Sequence, residues 1–382
     1  MLKIFRFLLP LAILSFASHL AAETVCPGAN VIVNSPEDAL MLKVNGADNP
    51  QDQVTALDEF IQQHADSGFI ACAYEYETMA HVKLNQFDKA IEYGEKDLAA
   101  NYKNVNLMIN LTKAYVGAST TTDAAFGVIM QAPDQIKAES SSAARPAGMS
   151  DADWQKSQEA TKDDTAYMEY AFFNLLPRVS DAARRVTLLG QFEKAYPDAD
   201  AKEVNTQYFL AYRLANKAEQ ADNYGEKVIA ADPDNIEVLS AVAWDYANRR
   251  VNLDKATEYA KKASTLAPAM KKPDGVSDDQ FKINQSSLAG LAHLTLGFVD
   301  FQRAGKTRKV AGAIEEFKAA AGLLGGNTQL KGGALFYLGN AYEFEMPPNH
   351  HAAAEALSES VEIASPWQAQ ARTLLAKVKA AH

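Results

Sequence analysis

Two short stretches of this chain have the residue types of a chemical site. Gly305-Lys306-Thr307 ends like a phosphate-binding loop, in which glycine-rich backbone and a lysine cradle phosphate oxygens. Asp300 stands where the upstream glycine belongs, and no strand-like run leads into it. Without a strand-to-helix turn the backbone donors do not converge on phosphate, so the triplet is expected to be a turn between helices. His350-His351 followed by Glu355 has metal-ligand types. Adjacent helical histidines point about 100° apart and do not readily serve one ion. His351 and Glu355, a turn apart, can share an ion, yet a third ligand is not evident. A solvated helix start after Pro347-Pro348 is the expectation there.

The rest of the search for chemistry is brief. His81 and His293 are expected inside helices, packed or partly exposed, and the chain has no HExxH and no GxSxG. Its Asp and Glu residues fall mostly on the outer faces of amphipathic helices, where carboxylates are solvated. No catalytic residue, cofactor or metal is expected. The basic run Arg303–Lys309 suits either an acidic partner segment or a solvated turn with cations near a helix C-terminus.

The address is clearer than the chemistry. Lys3 and Arg6 precede an apolar run over Phe7–Phe16, and Leu20-Ala21-Ala22 supplies small residues for cleavage before Glu23, the pattern of an export signal. The run is shorter than the roughly 20 residues of a membrane span, and no second one follows, so no integral membrane segment is expected in the mature chain. A periplasmic location is the expectation. Cys26 and Cys72 are the two cysteines; without a CxxC they suit one disulfide in an oxidising compartment, tying the N-terminal arm to the first repeat. Glu23-Thr24-Val25 before Cys26 is no lipoprotein box. The formal charge of −11 becomes −13 once Lys3 and Arg6 are removed. Such an acidic surface repels phosphate backbones, which argues against nucleic acid as the partner. At 48% apolar residues the chain is not disordered by composition.

What must position any functional residue is a set of repeated helices. Asn85–Asn104, NQFDKAIEYGEKDLAANYKN, and Ala218–Asn235, AEQADNYGEKVIAADPDN, read as the same phrase, and Leu253–Pro268, LDKATEYAKKASTLAP, is a third version. Alanines seven apart, as at Ala256 and Ala263, lie on one face two turns apart, where another helix can approach closely. A repeat of roughly 34 residues indicates stacked helical units, none of which buries its apolar face alone.

These phrases resemble the tetratricopeptide repeat (TPR) family. The resemblance rests on small-then-aromatic pairs in first helices, Gly339 with Tyr342, Thr112 with Tyr115 and Ala243 with Tyr246. It rests also on second-helix alanines at Ala90, Ala124, Ala221, Ala256, Ala313 and Ala354, and on terminating Pro197, Pro233, Pro268 and Pro366. Units are expected to begin near Ala71, Val105, Thr165, Lys202, Ile236, Ser286 and Thr328; the third is degenerate, with Arg185 in place of alanine. The implied fold is all-α, a right-handed α-solenoid of about seven TPR-like helical hairpins with a C-terminal capping helix.

The expected organisation is a signal peptide over 1–22, an N-terminal arm and capping helices over 23–70, and repeats one and two over 71–138. A polar insertion over 139–164, serine- and alanine-rich and read as a mobile surface segment, precedes repeats three to five over 165–270. Repeats six and seven occupy 271–366, and the capping helix 366–382, with Trp367, Ala371, Leu374 and Val378 on one stripe. Ser35-Pro36 and Asn49-Pro50 mark two helix starts in the arm. Trp154 in the insertion is either a docking aromatic or a side chain packing the segment back onto the array.

In the family the first helices line a groove that binds a peptide or partner helix. The resemblance places Ile109, Lys113, Leu210, Arg213, Ser240, Trp244, Phe336 and Asn340 on that face. Of these, Lys113, Arg213 and Asn340 would hydrogen-bond a peptide backbone or carboxylate, and Trp244 would offer a flat apolar contact. Lys113 and Arg213 are expected to lie outside the contacts between helices. The expected function is a non-enzymatic protein-binding scaffold or adaptor of the cell envelope. The alternatives are an envelope protein binding a small molecule or glycan under the insertion, and an enzyme without a readable motif.

Overall fold

The computed structural model describes residues 34–100, 104–145 and 148–380. The signal segment and Cys26 lie outside the described residues. Every regular element among the described residues is a helix, and none is long and apolar enough to cross a membrane. The fold is all-α, a solenoid of helical hairpins. It divides into two compact units at Val204/Asn205, within one helix.

The first unit contains α1 (Pro36–Asn45), α2 (Pro50–Gln63), α3 (Ile70–Lys83), α4 (Phe87–Ala99), α5 (Val105–Gly117), α6 (Asp123–Glu139), α7 (Asp151–Leu175) and α8 (Ala182–Ala195). Helix α9 (Ala201–Leu214) contains the division. Ser35 and Asn49 cap α1 and α2 through side-chain oxygens, each followed by a proline whose missing N–H costs nothing in the first turn. Leu57 and Phe60 of α2 pack with Leu40 and Val44 of α1 and with Cys72 and Ala73 of α3. Helices α1, α2 and α3 thus share one apolar cluster.

The second unit continues through α10 (Ala218–Ala231), α11 (Ile236–Arg249), α12 (Leu253–Leu266), α13 (Asp278–Ala304), α14 (Ala311–Leu323), α15 (Thr328–Phe344), α16 (His350–Glu362) and α17 (Gln368–Ala380). Ala371 and Val378 of α17 are buried against Ala353 and Leu357 of α16, so the last helix covers the final hairpin.

The repeated phrase Tyr-Gly-Glu-Lys does the same mechanical task in both units. A Cβ on Gly94 would sit 2.8 Å from Leu111, and one on Gly225 would sit 2.5 Å from Val242. Glycine therefore lets a second helix press against the first helix of the following pair. The next residue, the glutamate, accepts a bond from that helix's tyrosine: Tyr115 Oη donates to Glu95 and Tyr246 Oη donates to Glu226, each at 2.8 Å. One apolar and one polar contact thereby set the same stacking register twice.

Several expectations need correction. The packed alanine is fixed by its distance from the cap: Ala90, Ala221, Ala256 and Ala353 each lie four residues after the capping position and are buried. Ala354 is one residue past that position and is half-buried; in α6, capped by Thr122, Phe126 holds it, Ala125 before it is also buried, and Ala124 is exposed. Most of the stretch read as a mobile insertion is helical. Ser150 caps α7, Asp151 and Asp153 suit the positive helix end, and no Gly or Pro interrupts the turns beyond them. Gln158 Nε2 donates to the Ser140 carbonyl at 2.9 Å, and Trp154 is half-buried. The apolar signal begins only at Met168, with Ala171, Phe172 and Leu175, because the earlier turns are mostly exposed. The starts expected at Thr165 and Ser286 accordingly fall inside α7 and α13. In the degenerate third unit an aromatic stack replaces the small residues: Phe172, Phe192 and Tyr196 lie 4.1 and 4.6 Å apart between ring centres. Arg185 donates to the carbonyls of Val179 and Pro177, both at 2.6 Å.

Candidate protein-binding face

The first helices of the second unit each turn one small residue toward their partner helix. Ala243 is buried with Ala256 and Ala260 of α12. A Cβ on Gly297 would meet Phe317 at 2.7 Å and the Ala313 carbonyl at 3.2 Å; one on Gly339 would meet Leu357 at 2.5 Å and the Ala353 carbonyl at 3.2 Å. These positions are equivalent. The next residue, turned about 100° around the helix, is Trp244, Phe298 and Asn340 in turn, and all three are half-buried. Leu210 on α9 is also half-buried.

The aromatic members touch. Trp244 and Phe298 ring centres are 5.9 Å apart, Phe298 and Tyr337 4.8 Å, and Tyr337 and Trp367 6.3 Å. A row of partly exposed rings therefore crosses α11, α13 and α15 to the start of α17. Asn340 lies one turn from Tyr337 on α15, and its side chain has no hydrogen-bond partner among the described residues. Rings that keep one edge in water and an amide free to donate and accept suit recognition of a polypeptide. Ser240 is buried, and Phe336 is half-buried and packs with the last hairpin, so neither stands open on the face.

Arg213 is not free to meet a ligand unaided. Its guanidinium donates to Asp245 Oδ2 at 2.5 Å, next in sequence to Trp244. A second pair, Arg249 with Asp222, lies close by, linking α11 to α10. Burial raises Asp222 to about 6, Asp245 adds to the rise, and Arg249 and Arg213 oppose it. Burial likewise raises Asp245, against the pull of Arg213 and Arg249. The four charges form one alternating group across α9, α10 and α11. The expectation that Arg213 stands outside inter-helix contacts is thus wrong, because a long-range carboxylate claims it.

Lys113 belongs to the first unit and is described there. It is exposed at its surface, but its ammonium lies 5.8 Å over the Tyr167 ring of α7. Loss of water around the ammonium lowers its pKa, and Asp164 opposes that shift. It too is engaged between helices, α5 and α7, rather than standing clear of them. Ile109 is buried.

The other sequence candidates separate into ordinary structural roles. Gly305–Thr307 is a single short turn after α13. Arg308, at φ 53°, donates to the Phe344 carbonyl at 2.7 Å and closes the end of α15. Arg303 pairs with Asp254 at 2.5 Å. His350 and His351 serve different carboxylates, Glu343 at 2.7 Å and Glu355 at 3.7 Å. Among the described residues no group of three or more ligand-type side chains is placed to hold a metal ion. Cys72 is buried in the N-terminal cluster, and its expected partner lies outside the described residues. Phe298 is not marked by the small-then-aromatic pattern, because Asp300 stands three residues after Gly297 where Tyr342 follows Gly339; the signal is Gly297 itself, eleven residues from Ser286 as Gly339 is from Thr328.

No protein family model matches the chain, and no curated protein matches it. Among solved structures it is similar to a chain of the APC/C heterotetramer Cut9–Hcn1, at 13% identity over 90% of both chains with a TM-score of 0.28. It is also similar to yeast Tom70, at 13% identity over 90% of this chain and 88% of the other, with a TM-score of 0.23. At those scores neither likeness bears on function.

Proposed function

We propose that this chain is a non-enzymatic, TPR-like scaffold or adaptor of the cell envelope that binds a protein partner, as an extended peptide or a helix, on the first-helix face of residues 205–380. The observation that carries the reading is the row of half-buried rings, Trp244, Phe298 and Tyr337, ending beside the unpartnered amide of Asn340. Large rings with little side-chain entropy to lose are the side chains that most often dominate protein interfaces. The amide supplies direction by bonding a partner's backbone. Arg213 acts there through Asp245, holding α9 beside α11 and Trp244.

The double substitution Trp244→Ala with Phe298→Ala tests the reading. Binding to a partner recovered by crosslinking should weaken at least about tenfold, since each ring is expected to contribute more than about 1 kcal/mol. Helical circular dichroism should be retained, because both side chains are only partly buried. Undiminished capture by the helical double variant contradicts the assignment. The envelope location rests on the Lys3–Ala22 signal pattern, and the Cys26–Cys72 bridge on that location.

A further inference from the structure

Aligning the two Tyr-Gly-Glu-Lys helices puts Asp97 of α4 on the position of Val228 in α10. Val228 is an ordinary member of the apolar core. Asp97 is buried to the same degree, 0% exposed, and neither carboxyl oxygen has a hydrogen-bond partner. Three features disfavour its anion. Burial strips its water. It lies in the last turn of α4, where the helix presents its negative end. The charge that acts on it is another carboxylate, Glu75 on α3.

No cation relieves it among the described residues. Glu75 is held by the side-chain amides of Asn104 and Asn106 at 2.9 and 2.6 Å. Also on α3, Glu77 and His81 pair at 3.2 Å, His81 bonds Gln86 at 2.7 Å, and Lys83 is exposed at the far end. On α4 itself, Lys89 and Lys96 serve Glu92, at 3.1 and 2.9 Å, and Asp88 is exposed. Tyr93 donates to Asp58 of α2, and Glu95 receives Tyr115 of α5. Lys113, also on α5, is beside Tyr167, and Glu139 of α6 accepts the Val105 N–H at 2.9 Å.

We propose that α4 is a proton-controlled latch in its hairpin with α3, held closed by Asp97 as a neutral acid and loosened from α3 and α5 when that proton is lost. Burial, with Glu75 adding to it, raises Asp97 to about 8 from an ordinary 3.8. The closed hairpin therefore keeps a proton that the open one releases between about pH 4 and pH 8. Closure is strongest in acid, weakens as the pH rises through that window, and levels off once Asp97 ionises in place.

Hydrogen exchange on the full chain tests this, corrected for the intrinsic pH dependence of exchange and with α12 as internal reference. Between pH 5 and pH 7, the opening of α4 should increase at least about tenfold more in the parent than in Asp97→Asn, relative to α12. Asp97→Val, which copies Val228, should remove the same rise. Should the valine variant not fold, the asparagine variant and a carbon-13 titration of the Asp97 carboxyl decide, the carboxyl being expected to titrate well above the usual carboxylate range. An equal rise in parent and variant, or an Asp97 carboxyl that titrates at ordinary acid pH, overturns the latch.

Discussion

Arg213 illustrates what a single residue's surroundings do to its meaning. Its place in the repeat puts it on the face where a partner would bind, and that much comes from counting helical turns. Its bond to Asp245, 32 residues on, lies beyond any local pattern. The consequence is testable. Arg213→Glu would put a third carboxylate beside Asp245 and Asp222, and should cost about 3 kcal/mol, as breaking a mostly buried pair does; Arg213→Gln should cost less. Chemical denaturation at pH 7 measures both. Asp222 adds a pH dependence with a definite sign. Its folded value of about 6 lies above the ordinary 3.8, so its share of stability is present in acid and lost as the pH rises from about 4 to 6. Asp222→Asn should flatten that part of the profile. A parent whose stability increases through the same interval more steeply than the variant contradicts the assignment. That Trp244 and Asn340 lie partly open beside a packed small residue was legible, because they sit next to the strongest small-then-aromatic motifs. Phe298 was not, because Asp300 stands where an aromatic would complete the motif begun at Gly297.

At the scale of elements, the glycines of the repeated phrase are more decisive than the alanines that first drew notice. Gly225→Ala would set a Cβ 2.5 Å from Val242, a core side chain with nowhere to go, and should destabilise the second unit by about 1–3 kcal/mol. Gly322, inside α14, has nothing within 4 Å of the same construction, so Gly322→Ala should instead stabilise by about 0.5–1 kcal/mol. Opposite shifts of the thermal midpoint are the expected result; a fall in both would show that helix contacts, not space, were misjudged. Helix starts were readable where a capping side chain and an apolar stripe coincide, as at Asn235 and Asn104. The first turns of α7 carry a cap but are mostly exposed, and those of α13 are only half-buried, against the turns at Ala267-Pro268 and Gly326, so periodicity alone does not reveal a helix in either place.

For the molecule as a whole, repetition conveyed the architecture long before any residue role was clear, since a period summed over several units outweighs errors within each one. The proposed binding face is made by side-chain neighbours from different helices, and those are visible only once the helices are placed. The proposed export makes a separate prediction. Protein recovered from the envelope should have a mass that begins at or near Glu23, with Cys26 and Cys72 protected from alkylation until a reductant is added. A mass that retains residues 1–22, or two thiols labelled in native material, contradicts the proposed compartment or the bridge respectively.

The central proposal is that the ring-lined face of residues 205–380 holds a protein partner. Photo-crosslinking from position 244 in living cells, read by mass spectrometry, tests it most directly. The control is the same photoreactive residue at position 162, an exposed site on α7 in the other unit. One protein should dominate the crosslinks from position 244 and be lost when Phe298→Ala is introduced, with no counterpart from position 162. No specific adduct from position 244, or the same adducts from both positions, contradicts it.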